Sequence, residues 1–376
     1  MSLSSKFTRV GVVSTAQTVL LPAWLGAQHI DLIASVVQRA LKGCGLRIDD
    51  VDFVIDSGSD VLDGRSISNC GFLGAMGAHH KEESRVEDDG LWAALYAVNK
   101  IASGAADIGL VIAYSKPSES DTSKFYSTMA DPFCQRPVGL DDVTASGLMA
   151  QRYLRQHGLR EEDLAEVAAG AWLRASANPH VEVSSAPSRD DVMASPMVAS
   201  PVRRLMMSRP VDGAVAVVLA SEKFARRVAA APAWITGMGT AMDGNVFAMR
   251  DSGLSACATA ARKAYAKAGV EPRRLGLAEV SATSAAGELL TLEALGLAEP
   301  GRGIDLVRGA RGDTVNRSGG ALPADPIMAT GLVRLAEAAE QLWAPAARQS
   351  TAATNAVVHA ASGIGGQSHC VFVVEV

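Results

Sequence analysis

Two segments in opposite halves of the chain share one pattern, and this pattern constrains the fold more than any other sequence feature. Residues 40–53 and 264–277 each combine the end of an Ala-rich helix pattern, a glycine and the start of an apolar strand. Gly45 and Gly269 hold the same place in the two copies, 269 − 45 = 224 positions apart. A glycine there is typical of the left-handed residue that ends a helix. An offset of more than half the chain predicts two similar α/β halves rather than a solenoid of short repeats.

Short apolar runs alternate with longer amphipathic runs along the rest of the chain. Strands are predicted at residues 10–13, 51–55, 108–113, 211–219 and 277–280, and helices at residues 31–42 and 90–103. This alternation favours an α/β fold with a mostly parallel or mixed sheet. Residues 116 to about 200 differ, because they are polar and rich in Ser, Asp and Pro. They predict a long excursion between two core strands, with helices near 144–157 and 160–177.

Composition excludes several classes of protein. Of 376 residues, 48% are hydrophobic and 20% are charged, so the chain can bury a core and is not disordered. A net charge of −5 without any basic run does not favour nucleic-acid binding. No apolar run approaches the roughly 20 residues of a membrane span, and the N-terminus lacks a signal-peptide pattern. Five cysteines, without a Cys-x-x-Cys pair, predict a reduced cytoplasmic protein without a disulfide framework or a cysteine zinc site.

Three segments of the second half carry a family pattern. They are residues 279–297 (EVSATSAAGELLTLEALGL), residues 315–331 (VNRSGG followed by DPIMATG) and residues 362–367 (SGIGGQ). Together they resemble the motif segments of thiolases, and the first is similar to the sterol-carrier-protein X branch. In the first half, residues 90–107 resemble the nucleophile helix with its following strand, and residues 195–216 resemble the segment that closes the thiolase loop domain.

The resemblance implies a thiolase fold: an α/β fold of two duplicated βαβαβαββ halves, packed as a layered α-β-α-β-α structure with a loop-domain insertion. The halves would be residues 1–230 and 231–376, with the loop domain at about residues 116–200. The resemblance also implies an acyl-CoA thioester as substrate or ligand, no resident cofactor or metal, and at least a homodimer. Some relatives of the sterol-carrier branch work with a small OB-fold acyl-CoA-binding protein, which is a candidate partner.

Thiolases use a Cys nucleophile, a His base, a second Cys, and an Asn or His at the oxyanion hole. The corresponding positions here are Glu87, Asp325, Ser362 and Ser281. The same residues also have structural interpretations. Acids at a helix start satisfy free N–H groups, an aspartate before proline is a common turn residue, and small residues are ordinary in glycine-rich loops. Their catalytic roles therefore stay open at this point.

The motif residues that the resemblance assigns to substrate binding are present. They are Asn316, Gly319, Gly320, Gly365 and Gly366. Glycines in such loops allow the backbone to approach a ligand closely. The pocket architecture is therefore expected to persist without the usual reactive side chains.

Three functions are consistent with this pattern. The first is a thiolase-like protein that binds acyl-CoA without conventional thiolase chemistry. The second is retro-aldol cleavage of a hydroxyacyl-CoA, with Glu87, Asp325 or Tyr126 as the base. The third is a conventional acetyl-CoA acyltransferase with a displaced nucleophile, for which Cys70 and Cys134 are the plausible thiols.

Overall fold

The computed structural model describes residues 8–343 and 353–376. Within them the chain forms eleven β-strands and thirteen α-helices. The strands are β1 (Val10–Gln17), β2 (Phe53–Ser57), β3 (Glu82–Val86), β4 (Ile108–Ser115), β5 (Met197–Ala199), β6 (Val202–Arg203), β7 (Gly213–Ser221), β8 (Ala233–Met242), β9 (Leu277–Val280), β10 (Asn355–Ser362) and β11 (Ser368–Glu375). The helices are α1 (His29–Gly43), α2 (Asp60–Asp63), α3 (Leu73–Met76), α4 (Gly90–Ala102), α5 (Thr122–Met129), α6 (Asp142–His157), α7 (Glu161–Ala175), α8 (Arg189–Ala194), α9 (Glu222–Val228), α10 (Ser255–Ala268), α11 (Ala285–Ala294), α12 (Gly303–Arg308) and α13 (Thr330–Trp343).

Nine strands form one mixed sheet in the order β3-β2-β4-β7-β1-β8-β11-β10-β9, and β5 and β6 form a separate hairpin. Strand β2 is parallel to β3 and β4, and β10 is parallel to β9. The remaining neighbours in the sheet are antiparallel. The predicted α/β class is therefore confirmed.

The sheet contains the predicted duplication. The order β2-β4-β7-β1 recurs as β9-β10-β11-β8, and each pair of neighbours keeps its parallel or antiparallel sense. Gly45 and Gly269 follow α1 and α10 with φ of 69° and 67°, in the left-handed conformation expected of them. The two copies meet where β1 pairs with β8 over three positions. The division into halves at residue 230 remains a prediction.

Helices α4 and α13 form a layer shared by the two copies, because α13 contacts α4, β1, β7, β9 and β10 while α4 contacts β2 and β4. Helix α1 covers the other face of the first copy, and α10 covers the other face of the second. The resulting layers alternate helix and strand as expected from the resemblance.

The polar excursion forms helices α5 to α8 and the β5–β6 hairpin, between core strands β4 and β7. Helix α6 packs against α11 of the second copy, and so does α7. These contacts bring the excursion over loops of the second copy. Among the described residues, no helix has the length and apolar character needed to cross a membrane.

Candidate functional site

A cavity of about 770 Å³ lies where the excursion meets the loops of both copies. Helix α5 contributes one wall, and the others come from the loops before α11, before α13 and between β10 and β11. The polar lining residues include Asp89, Tyr126, Ser146, Ser281, Thr283, Ser284, Thr291, Asp325, Thr330, Ser362 and His369. The apolar lining residues include Phe125, Met149, Leu254, Ile327 and Met328.

Several predicted site residues meet in this cavity. Ser281, Asp325 and Ser362 line it, together with Gly365 and Gly366. These residues come from three loops far apart in the chain. The motif resemblance therefore identifies a set of residues that the fold brings together.

Glu87 is the exception among the predicted catalytic residues, because it does not line the cavity. Its carboxylate is exposed and accepts hydrogen bonds from the Asp60 backbone N–H at 2.7 Å and from Arg85 Nε at 3.1 Å. It forms the exposed part of an ion-pair cluster around Arg85, whose other carboxylates include the buried Asp56. Two residues further on, Asp89 takes the place in the cavity wall that the alignment had given to Glu87.

Asp89 is positioned by the start of α4. Its Oδ1 accepts the N–H of Leu91 at 2.9 Å, which makes Asp89 the N-cap, and its Oδ2 accepts the N–H of Gly331 at 2.8 Å. Burial raises the pKa of Asp89 to about 7. Gly331 has no room for a side chain, since a Cβ would lie 2.1 Å from Asp89 Oδ1.

The Asp88 carboxylate lies beside Ser362 and accepts the backbone N–H of Asp89 at 2.7 Å. Burial raises the pKa of Asp88, although the neighbouring Ser362 acts to lower it. Where the resemblance predicts the second cysteine of thiolases, the structure thus has a serine hydroxyl group beside a carboxyl group.

Asp325 sits between two hydroxyl donors. Oδ1 accepts Thr330 Oγ1 at 2.5 Å, and Oδ2 accepts Ser208 Oγ at 2.8 Å. Burial raises the pKa of this carboxyl despite those hydrogen bonds. Asp142, behind Thr283, has its pKa raised to about 7, chiefly by burial and then by the charge of Asp325.

Tyr126 faces the same cavity from α5. Burial raises its pKa well above the ordinary value, and the charges of Asp325 and Asp142 add to the shift. The phenol therefore stays protonated and is a hydrogen-bond and proton donor. The buried carboxylates, with raised pKa values, are stronger bases than exposed carboxylates.

The sequence analysis did not identify His369 as a site residue. His369 lines the cavity, and its Nδ1 lies 3.0 Å from Nε2 of His359. Burial lowers the pKa of His369 to about 4 and that of His359 well below its usual value. Cys257 lies close to both rings and completes a buried trio of metal-ligating residue types.

No cysteine is among the described residues that line this cavity. Cys44, Cys257 and Cys370 are buried, and Cys70 and Cys134 are exposed. Neither thiol suggested as a displaced nucleophile reaches the cavity.

Asn316, Gly319 and Gly320, predicted to bind substrate, do not line the cavity either. The Asn316 side chain accepts the N–H of Val280 at 2.7 Å and donates to Glu288 Oε2 at 2.9 Å. A Cβ on Gly319 would lie 2.5 Å from Cβ of Ala175 in α7, and one on Gly320 would lie 2.5 Å from the Asn316 amide. Asn316, Gly319 and Gly320 thus attach their loop to β9, α11 and α7, and their role here is in packing.

A second, wider cavity of about 1300 Å³ adjoins the first and shares four lining residues with it: Met149, Leu254, Gly365 and Gly366. Arg152, Arg155 and Arg250 line this outer cavity. Arg250 is held by the carbonyls of Gly244 at 2.7 Å and Ile364 at 2.6 Å. Arg152 and Arg155 are exposed on α6. Asp243 and Asp251 also line the outer cavity, so it carries charges of both signs, whereas the acids that line the inner cavity are Asp89 and Asp325.

Sequence comparisons agree with this architecture. Residues 239–375 match the family model described as thiolase C-terminal domain-like. The acetyl-CoA acetyltransferase of Methanothermobacter thermautotrophicus is 31% identical over 278 residues, covering 71% of this chain and 72% of the relative. The chain belongs to the thiolase superfamily. Sterol carrier protein 2 of Homo sapiens is 29% identical over 236 residues, which are 58% of this chain and 43% of that relative.

Solved structures show the same fold over nearly the whole chain. The structure described as "Ltp2-ChsH2(DUF35) aldolase" has a TM-score of 0.80 and 21% identity, covering 99% of each chain. Human mitochondrial 3-ketoacyl-CoA thiolase has a TM-score of 0.78 and 17% identity, again covering 99% of each chain. A monomeric SCP2-thiolase-like protein from Mycobacterium smegmatis has a TM-score of 0.76 and 18% identity, covering 97% of this chain and 76% of that chain. The thiolase fold of this protein is thereby confirmed.

Proposed function

We propose that this protein binds an acyl-coenzyme A thioester and cleaves a carbon–carbon bond of its 3-hydroxyacyl group by a retro-aldol reaction. The observation that carries the proposal is the lining of the inner cavity, which holds carboxyl groups and a tyrosine but no cysteine among the described residues. A retro-aldol reaction needs a base and an oxyanion site and no covalent nucleophile. The structural likeness to a protein named an aldolase supports the same chemistry.

The outer cavity suits the coenzyme A part of the substrate. Its phosphate groups would meet Arg152 and Arg155, since guanidinium groups bind phosphate through paired N–H donors. The apolar side chains of Met149 and Leu254, shared by both cavities, would contact the pantetheine arm. The thioester would then enter the inner cavity.

The acid and base roles are assigned to the titratable groups that line the inner cavity. The Asp325 carboxylate takes the proton of the 3-hydroxyl group, whose C–O bond becomes a carbonyl as the Cα–Cβ bond breaks. The electron pair of that bond passes to the thioester as an enolate, and Tyr126 protonates its Cα. Tyr126 recovers a proton from Asp325, so the products are a free aldehyde or ketone and a shortened acyl-CoA.

The developing enolate oxygen needs a positive environment. Ser284 caps α11, accepting the N–H of Gly287 at 3.2 Å, and both residues line the cavity. The positive end of the helix dipole therefore faces the reaction. The hydroxyl of Ser281 is a further donor in the same wall.

The test is to incubate the protein with a 3-hydroxyacyl-CoA and to follow the shortened acyl-CoA and the released carbonyl compound by mass spectrometry. We expect turnover in the wild type and a loss of at least about 100-fold in Asp325→Asn and Tyr126→Phe, in line with the usual worth of a general acid or base. Glu87→Gln is the matched control, because its carboxylate lies outside the cavity, and should keep wild-type turnover. Equal rates in Asp325→Asn and Glu87→Gln would remove Asp325 from the mechanism.

Binding without turnover is the alternative, and one observation favours it. Both oxygens of Asp325 already accept hydroxyl groups, as they would in a purely structural carboxylate. Calorimetry with coenzyme A separates the cases: binding weakened in Arg152→Ala/Arg155→Ala but no cleavage would indicate a binding protein. A covalent acyl adduct on a cysteine, or thiolysis of acetoacetyl-CoA, would instead indicate a conventional acyltransferase.

Oligomeric state and partner remain part of the proposal. A homodimer follows from the thiolase resemblance, although one solved relative of this fold is described as monomeric. The structurally similar Ltp2-ChsH2(DUF35) aldolase is named after two components, Ltp2 and ChsH2. This supports a two-protein system for the present chain, like the OB-fold partnership expected from the sequence. Light scattering of the purified chain, alone and mixed with an OB-fold acyl-CoA-binding protein, would distinguish a monomer, a homodimer and a mixed complex. A cytoplasmic role in lipid metabolism is the corresponding cellular proposal.

A further inference from the structure

His359 and His369 lie on one face of the β10–β11 pair. In the antiparallel register His359 is opposite Val371 and His369 is opposite Ala361, so the two histidines are diagonal neighbours on the same side of the sheet. Helix α10 packs on β11, and Cys257 lies in its first turn. The exposed fractions of Cys257, His359 and His369 are 0%, 0% and 1%, so the group is sealed from bulk solvent.

The three side chains converge on one point. Each offers one ligand atom, and all three atoms lie within 4.8 Å of one another. The shortest separation is the 3.0 Å between His359 Nε2 and His369 Nδ1, with the rings stacked at 5.3 Å. Ligand atoms of a tetrahedral zinc ion stand about 3–4 Å apart, because Zn–N bonds are about 2.0–2.1 Å and Zn–S bonds about 2.3 Å. Small side-chain movements would therefore complete a coordination sphere.

The outer nitrogens of the two rings support this interpretation. Nδ1 of His359 and Nε2 of His369 are buried and have no hydrogen-bond partner of normal geometry. When the protons of the two neutral rings are on these outer nitrogens, both facing nitrogens present lone pairs to each other. A metal ion accepts both lone pairs, and outer N–H groups aimed at carbonyls are the usual second layer of contacts around metal-bound histidine.

We propose that Cys257, His359 and His369 form a binding site for a divalent transition metal, with zinc as the first candidate. One thiolate and two neutral imidazoles suit zinc among the common cellular metals. Three protein ligands leave one tetrahedral position for a water molecule or another small ligand. Because His369 also lines the inner cavity, the ion would lie directly behind the wall of the candidate active site. This proposal does not depend on the retro-aldol reaction.

The experiment measures metal content in the full-length chain, purified without chelators from zinc-supplemented cells. We expect about one zinc per chain by inductively coupled plasma mass spectrometry. Replacing zinc with cobalt should give the intense near-ultraviolet sulfur-to-cobalt absorption and the visible bands of a tetrahedral cysteine site. Cys257→Ser, His359→Gln and His369→Gln should each lower the metal content at least about tenfold. Cys257→Ser should also lose the sulfur-to-cobalt band.

Cys370→Ser is the matched control, because Cys370 is also a fully buried cysteine and lies next to His369 on the opposite face of β11. It should keep both the zinc and the cobalt spectrum. The cobalt spectrum of the wild type is decisive even where a variant fails to fold. Folded wild-type protein with less than about 0.1 zinc per chain and no sulfur-to-cobalt band would overturn the proposal, and so would metal that persists unchanged in all three ligand variants.

Discussion

At the scale of single residues, burial raises the pKa values of the carboxyl groups near the site. Asp142 shows how such a raised pKa makes the stability of the protein depend on pH. Its pKa is raised to about 7, so the native state holds the carboxyl proton more tightly than the unfolded chain does. The stabilisation from that proton is fully present below the unfolded pKa of about 4 and is lost as the pH rises through about 7. Asp142→Asn should therefore stabilise the protein at pH 8 relative to wild type, by on the order of 1–4 kcal/mol. It should also flatten the fall in stability between pH 5 and 7, measured by urea unfolding at each pH.

Asp190→Asn is the control for this prediction, since its side chain is 87% exposed on α8. Its pH profile should match that of the wild type. An Asp142→Asn profile as steep as that of Asp190→Asn would show that Asp142 does not hold a proton in the folded protein.

Single residues also mark the limit of prediction from the sequence. Counting back from Gly90 correctly located the acid-rich start of α4, but not which acid faces the cavity. That choice depends on Arg85, which holds Glu87 at the surface, and on Gly331, which reaches Asp89 across 242 positions. No local pattern contains these long-range contacts. His369 was missed for a similar reason, because only the pairing of β10 with β11 brings it to His359.

At the scale of elements, sequence patterns were most informative where local chemistry decides the outcome. The strand predicted at residues 277–280 is β9 (Leu277–Val280), and the stops at Gly45 and Gly269 have the left-handed conformation that makes glycine necessary there. The motif loop with Gly319 was predicted to approach substrate, whereas its glycine makes room for α7. A glycine pattern thus indicates close approach without saying what approaches.

The contact between α10 and β8 gives a prediction at this scale. A Cβ on Gly237 would lie 2.1 Å from the carbonyl oxygen of Ala264, and one on Gly239 would lie 2.1 Å from that of Ala260. Gly239→Ala must therefore push α10 away from the sheet, and we expect a loss of about 1–3 kcal/mol in the free energy of unfolding. Gly244→Ala is the control, because nothing lies within 4 Å of its Cβ position, just beyond the end of β8. Equal stability of the two variants in denaturant unfolding would mean that the packing of α10 on β8 does not require a glycine at position 239.

At the scale of the whole molecule, the two copies are joined in three ways that no motif in the sequence indicates. Strands β1 and β8 pair over Val10–Val12 and Ala233–Ile235 and make the sheet continuous. Gln17 of β1 donates to Glu337 of α13 at 2.8 Å inside the core. Asp89 at the start of α4 accepts the N–H of Gly331 in α13. The shared helical layer thus has polar contacts to both copies as well as apolar packing.

These connections predict that the protein unfolds as one unit. Removing either copy would expose the apolar face of α4 or α13. It would also leave Oδ2 of Asp89 or Oε1 of Glu337 without the donors from the other copy, at a cost of about 1–3 kcal/mol for each buried polar group left unpaired. Calorimetry should therefore show a single unfolding transition. The ratio of the calorimetric enthalpy to the van't Hoff enthalpy should be near 1 when the whole chain is taken as the unfolding unit. Gln17→Leu, which removes one donor to Glu337, should lower the transition temperature without splitting the transition. Two separate transitions in the wild type would show instead that the duplicated halves are stable independently, and that the contacts through α13 contribute little to either.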